Sequence, residues 1–387
     1  MSFTRSASRA RLACAIGVAI ATVLAAPALT AQATGAVQGV VRAAQTDVPL
    51  SYSVVSLPQL SLERFADDQG KFTLAALPVG RYEVIIRRIG YQPFRGTVQV
   101  DSAATSQLAI ALVQIPVRLA TTTVHALSAC SNPGIPDRTA EPDVYTLYSL
   151  LRENADRYRL LASAHPFFYL QVRALAELRD TTLVMQRVDT VLVRSAARRA
   201  YRPGGVVIRT SGERNENEYT MAIPTLLDLA DEAFVRNHCF GYGGFATEGS
   251  ETWVRIDVRA SDRLDAPDVN GSFFLDSATA QLRRMSLTLS RAEKLPRNLK
   301  GVTGISVTTS FRDIASGVAI IDKVCAVHQL QPGGRLVRVQ PVELQQLLIY
   351  EFSAPPPDVK ARAAELPPMG WRAGARLPQK TAWCAAE

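Results

Sequence analysis

Residues 67–91 read DDQGKFTLAALPVGRYEVIIRRIGY, and this stretch decides the fold of the N-terminal region. Asp67-Asp68-Gln69-Gly70 is a turn cluster in which glycine can supply the positive φ that a tight turn needs. Lys71-Phe72-Thr73-Leu74 follows, with apolar side chains at every second position, the period of a half-buried strand. Leu77-Pro78-Val79-Gly80 is a second turn, and Arg81 to Arg87 then sets Tyr82, Val84 and Ile86 on one face. Upstream, Val37, Gly39 and Val41 alternate, and Pro49-Leu50 opens the strand SYSVVSL. Downstream, Ile89-Gly90-Tyr91 breaks the strand, Pro93 follows, and Gly96 to Val100 and Gln107 to Val113 resume it. Short strands with turn signals every ~8–12 residues predict an antiparallel β-sandwich.

The order Gly39-Val40-Val41, Pro49-Leu50, Asp67-x-x-Gly70-x-Phe72, Leu77-Pro78-x-Gly80-x-Tyr82 and Ile89-Gly90-Tyr91-x-Pro93 resembles the carboxypeptidase regulatory-like domain. The resemblance implies a seven-stranded, transthyretin-like sandwich over residues 34–113. Such modules accompany exported carboxypeptidases, outer-membrane receptors and surface proteins. They serve there as folding aids, spacers or contact sites for carbohydrate or protein. It makes Tyr91 and Phe94 candidate stacking platforms for a sugar; the alternative is that both pack the sandwich edge. A zinc carboxypeptidase needs an HxxE pair. The four histidines, His125, His165, His238 and His328, open no such motif.

Before the sandwich, Arg5, Arg9 and Arg11 precede an apolar run from Leu12 to about Leu29 that ends in Ala31-Gln32-Ala33. A positive segment, an apolar segment and a small-x-small site predict a signal peptide over residues 1–33, with cleavage after Ala33. The competing reading, an uncleaved anchor, is opposed by Pro27 and Thr30 near the end of the run. Cleavage leaves a chain of about 354 residues and removes three of the arginines behind the net charge of +8. It also removes Cys14. Cys130, Cys239, Cys325 and Cys384 remain as disulfide candidates, an even set in an oxidising compartment. Three pairings are open, and Cys239–Cys325 with Cys130–Cys384 is the preferred one. The mild basic charge culminates in Arg194, Arg198, Arg199 and Arg202, which reads as a solvated turn or strand face. No nucleic acid partner is expected, and no transmembrane span after signal cleavage.

Residues 114–142, with Pro116, Pro133, Pro136 and Pro142, read as a linker. Leu119 to Ala126 resembles the segment that leads into the plug of outer-membrane receptors, but the rest of the chain lacks the strand pattern of a large barrel. Residues 143–353 read as an α+β domain with a large antiparallel sheet and about two helices. Val144, Leu147, Leu150, Leu151, Tyr158 and Leu161 recur at helical spacing after Asp143 as N-cap. A second helix is expected from Pro224 to about Asn237. Strands are expected over 168–178, 182–193, 205–209, 252–259, 269–276, 281–289, 305–312, 318–327 and 335–352 with a break at Pro341. The hairpin in GSFFLDSATAQLRRMSLTLS resembles hairpins of periplasmic lipoprotein carriers, an analogy only. Residues 354–387 read as an extended tail. The fold class is therefore mainly β.

Motifs with chemistry are scarce. Gly241-Tyr242-Gly243-Gly244-Phe245-Ala246 fits a dinucleotide pattern but lacks the strand before it and the helix after it, so it is expected to be a glycine loop. His238 beside Cys239 is discounted as a reactive pair. Asp262, Asp265 and Asp268 read as a polar turn, since their spacing is not that of a calcium loop. No nucleophile elbow, Walker loop or HExxH is present. The expectation is a non-catalytic protein of the bacterial periplasm or outer-membrane periphery, or a secreted one, without cofactor or metal. It would bind or scaffold an envelope protein, peptide or glycan partner. A periplasmic carrier of lipid or another apolar ligand, and an unrecognised hydrolase, are the alternatives.

Overall fold

The computed structural model describes residues 33–115, 129–179, 182–195, 201–211, 217–222, 224–299, 301–330, 339–352 and 376–378. The signal segment through residue 32, the Leu119–Ala126 piece, Arg198, Arg199, Cys14, Cys384 and nearly all of the tail lie outside them.

Seven strands build the sandwich: β1 (Thr34–Ala43), β2 (Val54–Leu57), β3 (Leu62–Phe65), β4 (Lys71–Pro78), β5 (Gly80–Arg87), β6 (Phe94–Val100) and β7 (Thr105–Leu112). They form a three-stranded sheet, β4-β1-β7, and a four-stranded sheet, β3-β2-β5-β6. The β1–β7 pair is parallel and the other pairs are antiparallel. Val37, Val41, Val55, Leu57, Phe72, Leu74, Val84, Ile86 and Leu112 fill the space between the sheets. The Asp67–Gly70 turn forms as expected. Asp67 Oδ1 accepts from the amides of Gln69 and Lys71, and Gly70 sits at φ 69°. Strand β3 is not legible in the sequence, because in Leu62-Glu63-Arg64-Phe65 the two polar residues are adjacent and break the period-2 alternation of a strand.

The rest of the chain is dominated by one ten-stranded sheet, in the order β12-β13-β14-β15-β16-β17-β18-β8-β9-β19. Its strands are β8 (Phe167–Arg179), β9 (Thr182–Arg194), β12 (His238–Glu248), β13 (Glu251–Ala260), β14 (Asp268–Asp276), β15 (Leu282–Ser290), β16 (Val302–Ala315), β17 (Val318–Leu330), β18 (Val339–Phe352) and β19 (Arg376–Pro378). The pairing is antiparallel throughout. A separate hairpin joins β10 (Val207–Ser211) to β11 (Asn217–Met221). Pro341 does not break β18; it stays in register with Glu177 of β8.

Helix α1 (Pro142–Ala164) lies on this sheet. Pro142 is the first helical residue and Glu141 the N-cap, so Asp143 lies two residues past the cap, in the first turn, rather than being the cap itself. Leu147, Leu150, Leu151 and Ala155 pack with Val254, Ile256, Phe273, Met285 and Val307. The second expected helix is two short ones, α2 (Leu226–Leu229) and α3 (Glu232–Val235). The break has a local cause: Thr225 and Asp228 form a capping box for α2, and Asp231 accepts from the Ala233 amide and starts α3 afresh.

The glycine stretch 241–246 is part of β12, not a loop. It bulges between Tyr242 and Gly244, and a Cβ at Gly243 would stand 2.2 Å from Arg255 Nε and 2.7 Å from Asp257 Oδ1. The glycine is there to let the charged pair of β13 cross it.

Candidate functional site

Ile89 sits at the end of β5, out of step with the inward residues Tyr82, Val84 and Ile86. It points away from the sandwich into the core of the large sheet, packed among the residues of helix α1 and β13–β16. It is 4% exposed. The Ile89-Gly90-Tyr91 break is therefore a plug that docks the sandwich. A second apolar contact joins Tyr52 and Phe65 of the sandwich to Leu161, Phe167, Val318 and Ile320.

Polar contacts flank these plugs. Arg87 at the end of β5 donates to Glu153 of helix α1 at 2.6 Å and to Glu63 of β3 at 3.1 Å, with Asp156 at 3.6 Å. Arg159 reaches the other oxygen of Glu63 at 3.1 Å. Burial pushes the Glu153 carboxyl above its usual range, and the nearby Arg87 and Arg157 guanidinium groups oppose this. The neighbouring Arg88 donates from Nη1 to the Ser316 carbonyl and from Nη2 to its hydroxyl, each at 2.9 Å. Gly317, at φ +70°, makes room for it: a Cβ there would stand 2.4 Å from Arg88 Nη1. Arg157 is fully buried, donates from Nε to the Gly317 carbonyl at 2.7 Å, and lies over the Phe65 ring at 5.6 Å. Its terminal nitrogens have no hydrogen-bond partner among the described residues. Asn154, also buried, donates to the carbonyls of Leu150 and Ala280 and accepts from the Leu282 amide, which locks α1 to the β14–β15 turn.

Where the sandwich meets the N-terminal half of α1, a cleft of about 660 Å³ remains. Arg87, Arg88, Tyr91 and Arg95 line one wall, and Tyr145, Thr146, Ser149 and Glu153 the other, with Arg138 at its rim. Its size falls in the ~300–1,000 Å³ range of ligand pockets. Tyr91 lines the cleft, while Phe94 does not. Both are half-buried against the sandwich core, and Tyr91 also bridges to Gln114.

The other sequence-flagged residues fall elsewhere. Cys130 is bonded to Cys239, with a Cα–Cα distance of 5.6 Å. This overturns the preferred pairing. Cys239 on β12 and Cys325 on β17 are five strands apart, about 24 Å at ordinary sheet spacing, far beyond a disulfide's reach. Cys130 is further held by Asp262, which accepts from its amide and whose own amide donates back to the Cys130 carbonyl. Cys325 is also disulfide-bonded, and its partner is not among the described residues. Asp262, Asp265 and Asp268 face different partners: Cys130, Lys294 at 2.7 Å, and a buried network. In that network the Tyr201 hydroxyl donates to Asp268 at 2.6 Å, and His238 Nε2 lies 3.3 Å from the other Asp268 oxygen. Nδ1 of His238 meets the Phe234 carbonyl at 2.8 Å and so must donate to it. The imidazole stacks on Phe234, ring centroids 4.0 Å apart. Burial pushes the Asp268 carboxyl up, but the adjacent His238 imidazole, with hydrogen bonds from Tyr201 and the Gly204 amide, brings it below its ordinary value. His238 and Asp268 have no solvent-exposed surface, so the trio fastens Tyr201 and β14 to β12.

Residues 36–113 match the family model of the carboxypeptidase regulatory-like domain. No curated protein matches the chain. Among solved structures, the minor pilin of Streptococcus agalactiae is 17% identical over 24% of this chain and 49% of the pilin, with a TM-score of 0.21. The chain thus spans about half of that pilin. A DUF1329 family protein from Desulfovibrio piger is 8% identical over 53% of this chain and 90% of its own, with a TM-score of 0.29. A LolA superfamily protein from Nitrosomonas europaea is 8% identical over 53% and 92%, with a TM-score of 0.27. Scores this low carry no weight for function. Among the described residues, no helix is long and apolar enough to cross a membrane.

Proposed function

We propose that this is a non-catalytic exported envelope protein that binds its partner through the cleft between the regulatory-like module and helix α1. The observation that carries this reading is the cleft itself, with one wall from each region and both walls fixed by Arg87, Arg88 and Ile89. Binding sites favour such domain junctions. The acid–base groups nearest to it are tied into cross-interface ion pairs, and the His238–Asp268 pair is sealed from solvent, which favours binding over hydrolysis. An apolar carrier would need an open apolar face on the sheet, and helix α1 already packs on the face that carries Val254, Ile256, Phe273, Met285 and Val307.

The test is capture of partners from envelope extract, with glycan-array binding alongside, using the intact protein and Ser149→Trp. Ser149 is exposed on α1 and lines the cleft, so the indole wedges it without touching the core. The expected result is a defined protein or glycan bound by the intact protein and lost in the variant. Binding that survives the wedge, or none on either assay, would overturn the reading.

A further inference from the structure

The cleft has an unbalanced charge. Four arginines line it, Arg87, Arg88, Arg95 and Arg138, against one carboxylate, Glu153. Arg87 is committed to Glu63, Glu153 and Asp156 and holds the two regions together. Arg88 is held by the Ser316 carbonyl and hydroxyl and makes no ion pair among the described residues. Arg138 is exposed, makes no ion pair among them either, and lies over the Tyr145 ring at 5.8 Å. Arg95 pairs with Glu83 at 3.1 Å, but both are solvated, and such pairs exchange partners at little cost.

The remaining lining is of another kind. The Thr146 and Ser149 hydroxyls donate to the Pro142 and Tyr145 carbonyls of their own helix, each at 2.8 Å. Their protons are therefore used, and the oxygens are left as acceptors. Tyr91 and Tyr145 add aromatic rings. Guanidinium donors suit a carboxylate, hydroxyl acceptors suit the hydroxyl donors of a polyol, and aromatic rings suit the faces of a pyranose. An acidic peptide would use the arginines, and its backbone amides would donate to Thr146 and Ser149, but a chain of Asp and Glu offers no ring face to Tyr91 and Tyr145.

We infer that the cleft binds an acidic saccharide, a pyranose carrying a carboxylate, with Arg88 and Arg138 on the carboxylate and Tyr91 and Tyr145 against the rings. This rests on the cleft being the ligand site, and the experiment separates the two claims. The intact protein is titrated calorimetrically with trigalacturonate, with its carboxyl-reduced neutral counterpart, with inorganic phosphate and with a tetraglutamate peptide. Arg138→Ala and Ser149→Trp are run in parallel. Among the described residues Arg138 makes no hydrogen bond that its loss would break, so the variant is expected to stay folded.

Trigalacturonate is expected to bind, to weaken about tenfold or more in Arg138→Ala as one charged hydrogen-bonding group is lost, and to vanish in Ser149→Trp. The neutral trisaccharide is expected to bind no better than Arg138→Ala binds the acidic one. Equal binding of the neutral and acidic sugars, or tighter binding of phosphate or tetraglutamate, would overturn the saccharide assignment while leaving the cleft as the site. No binding of trigalacturonate, with extract capture still sensitive to Ser149→Trp, would do the same. Trigalacturonate binding that is indifferent to Ser149→Trp would overturn both.

Discussion

The sandwich closes Val37, Val55, Phe72, Val84 and Leu112 between its own two sheets, whereas the large sheet buries Phe273, Met285 and Val307 in a core that it shares with helix α1, the short helices α2 and α3, and Ile89 of the sandwich. One region completes its core from neighbouring strands. The other borrows a residue from the first. The family domain is thus no mere spacer here, because part of the second region's core is encoded at its strand end. The cleft is a product of the same docking, since its walls belong to different regions and neither exists alone.

The contrast can be broken from the second region's side at its covalent fastening. Cys130–Cys239 closes a loop with a sequence separation of 109. In the chain-entropy account a bridge over a loop this long stabilises by about 4–5 kcal/mol. Cys130→Ser with Cys239→Ser should lower the denaturation free energy by that order in equilibrium urea unfolding. An unchanged midpoint would show that Asp262 alone secures this end.

Ile89→Ala probes the borrowed residue. Truncating a buried isoleucine costs about 2–4 kcal/mol. Although the substitution lies within the family domain, the loss should appear in hydrogen exchange of β14 and β15 before it appears in β1 and β4. Protection lost first in the sandwich would reverse the assignment of Ile89.

The smallest effect concerns the buried Asp268 network. A carboxylate whose folded value is depressed contributes stability above its unfolded value, ~3.9. That contribution is lost as pH falls through the lower folded one. Asp268→Asn should therefore be less stable at pH 7 by about 1–3 kcal/mol, as a hydrogen-bonded buried charge is removed. The gap should narrow as pH drops below about 4. A gap that is constant with pH would mean that Asp268 acts by shape alone.

How far these features were legible follows the same divide. The sandwich could be read because its turns announce themselves, as Asp67 does by capping Gln69 and Lys71, even though β1 pairs with the distant β4 and β7 and β2 with β5. Helix α1 was visible from Leu147, Leu150, Leu151 and Leu161. Strand β12 was misread because Gly241, Gly243 and Gly244 signal a loop in sequence, while their reason is the Arg255–Asp257 pair across the ladder. The Cys130 partner depended on strand order, which local pattern does not carry. The cleft was half legible: Tyr91 was singled out for ligand contact, but Arg88, Arg138, Tyr145 and Ser149 were not. They converge only through docking, across a gap in sequence. One signal was available. Ile89 follows Tyr82, Val84 and Ile86 out of phase, and an apolar residue facing away from its own sheet asks for a second core.

Calorimetric unfolding of the intact protein tests most directly whether the two regions form one docked unit. A single transition is expected, with calorimetric and van't Hoff enthalpies that agree, and it shifts as a whole in Ile89→Ala. Two transitions, with only the sandwich's moving in that variant, would contradict it.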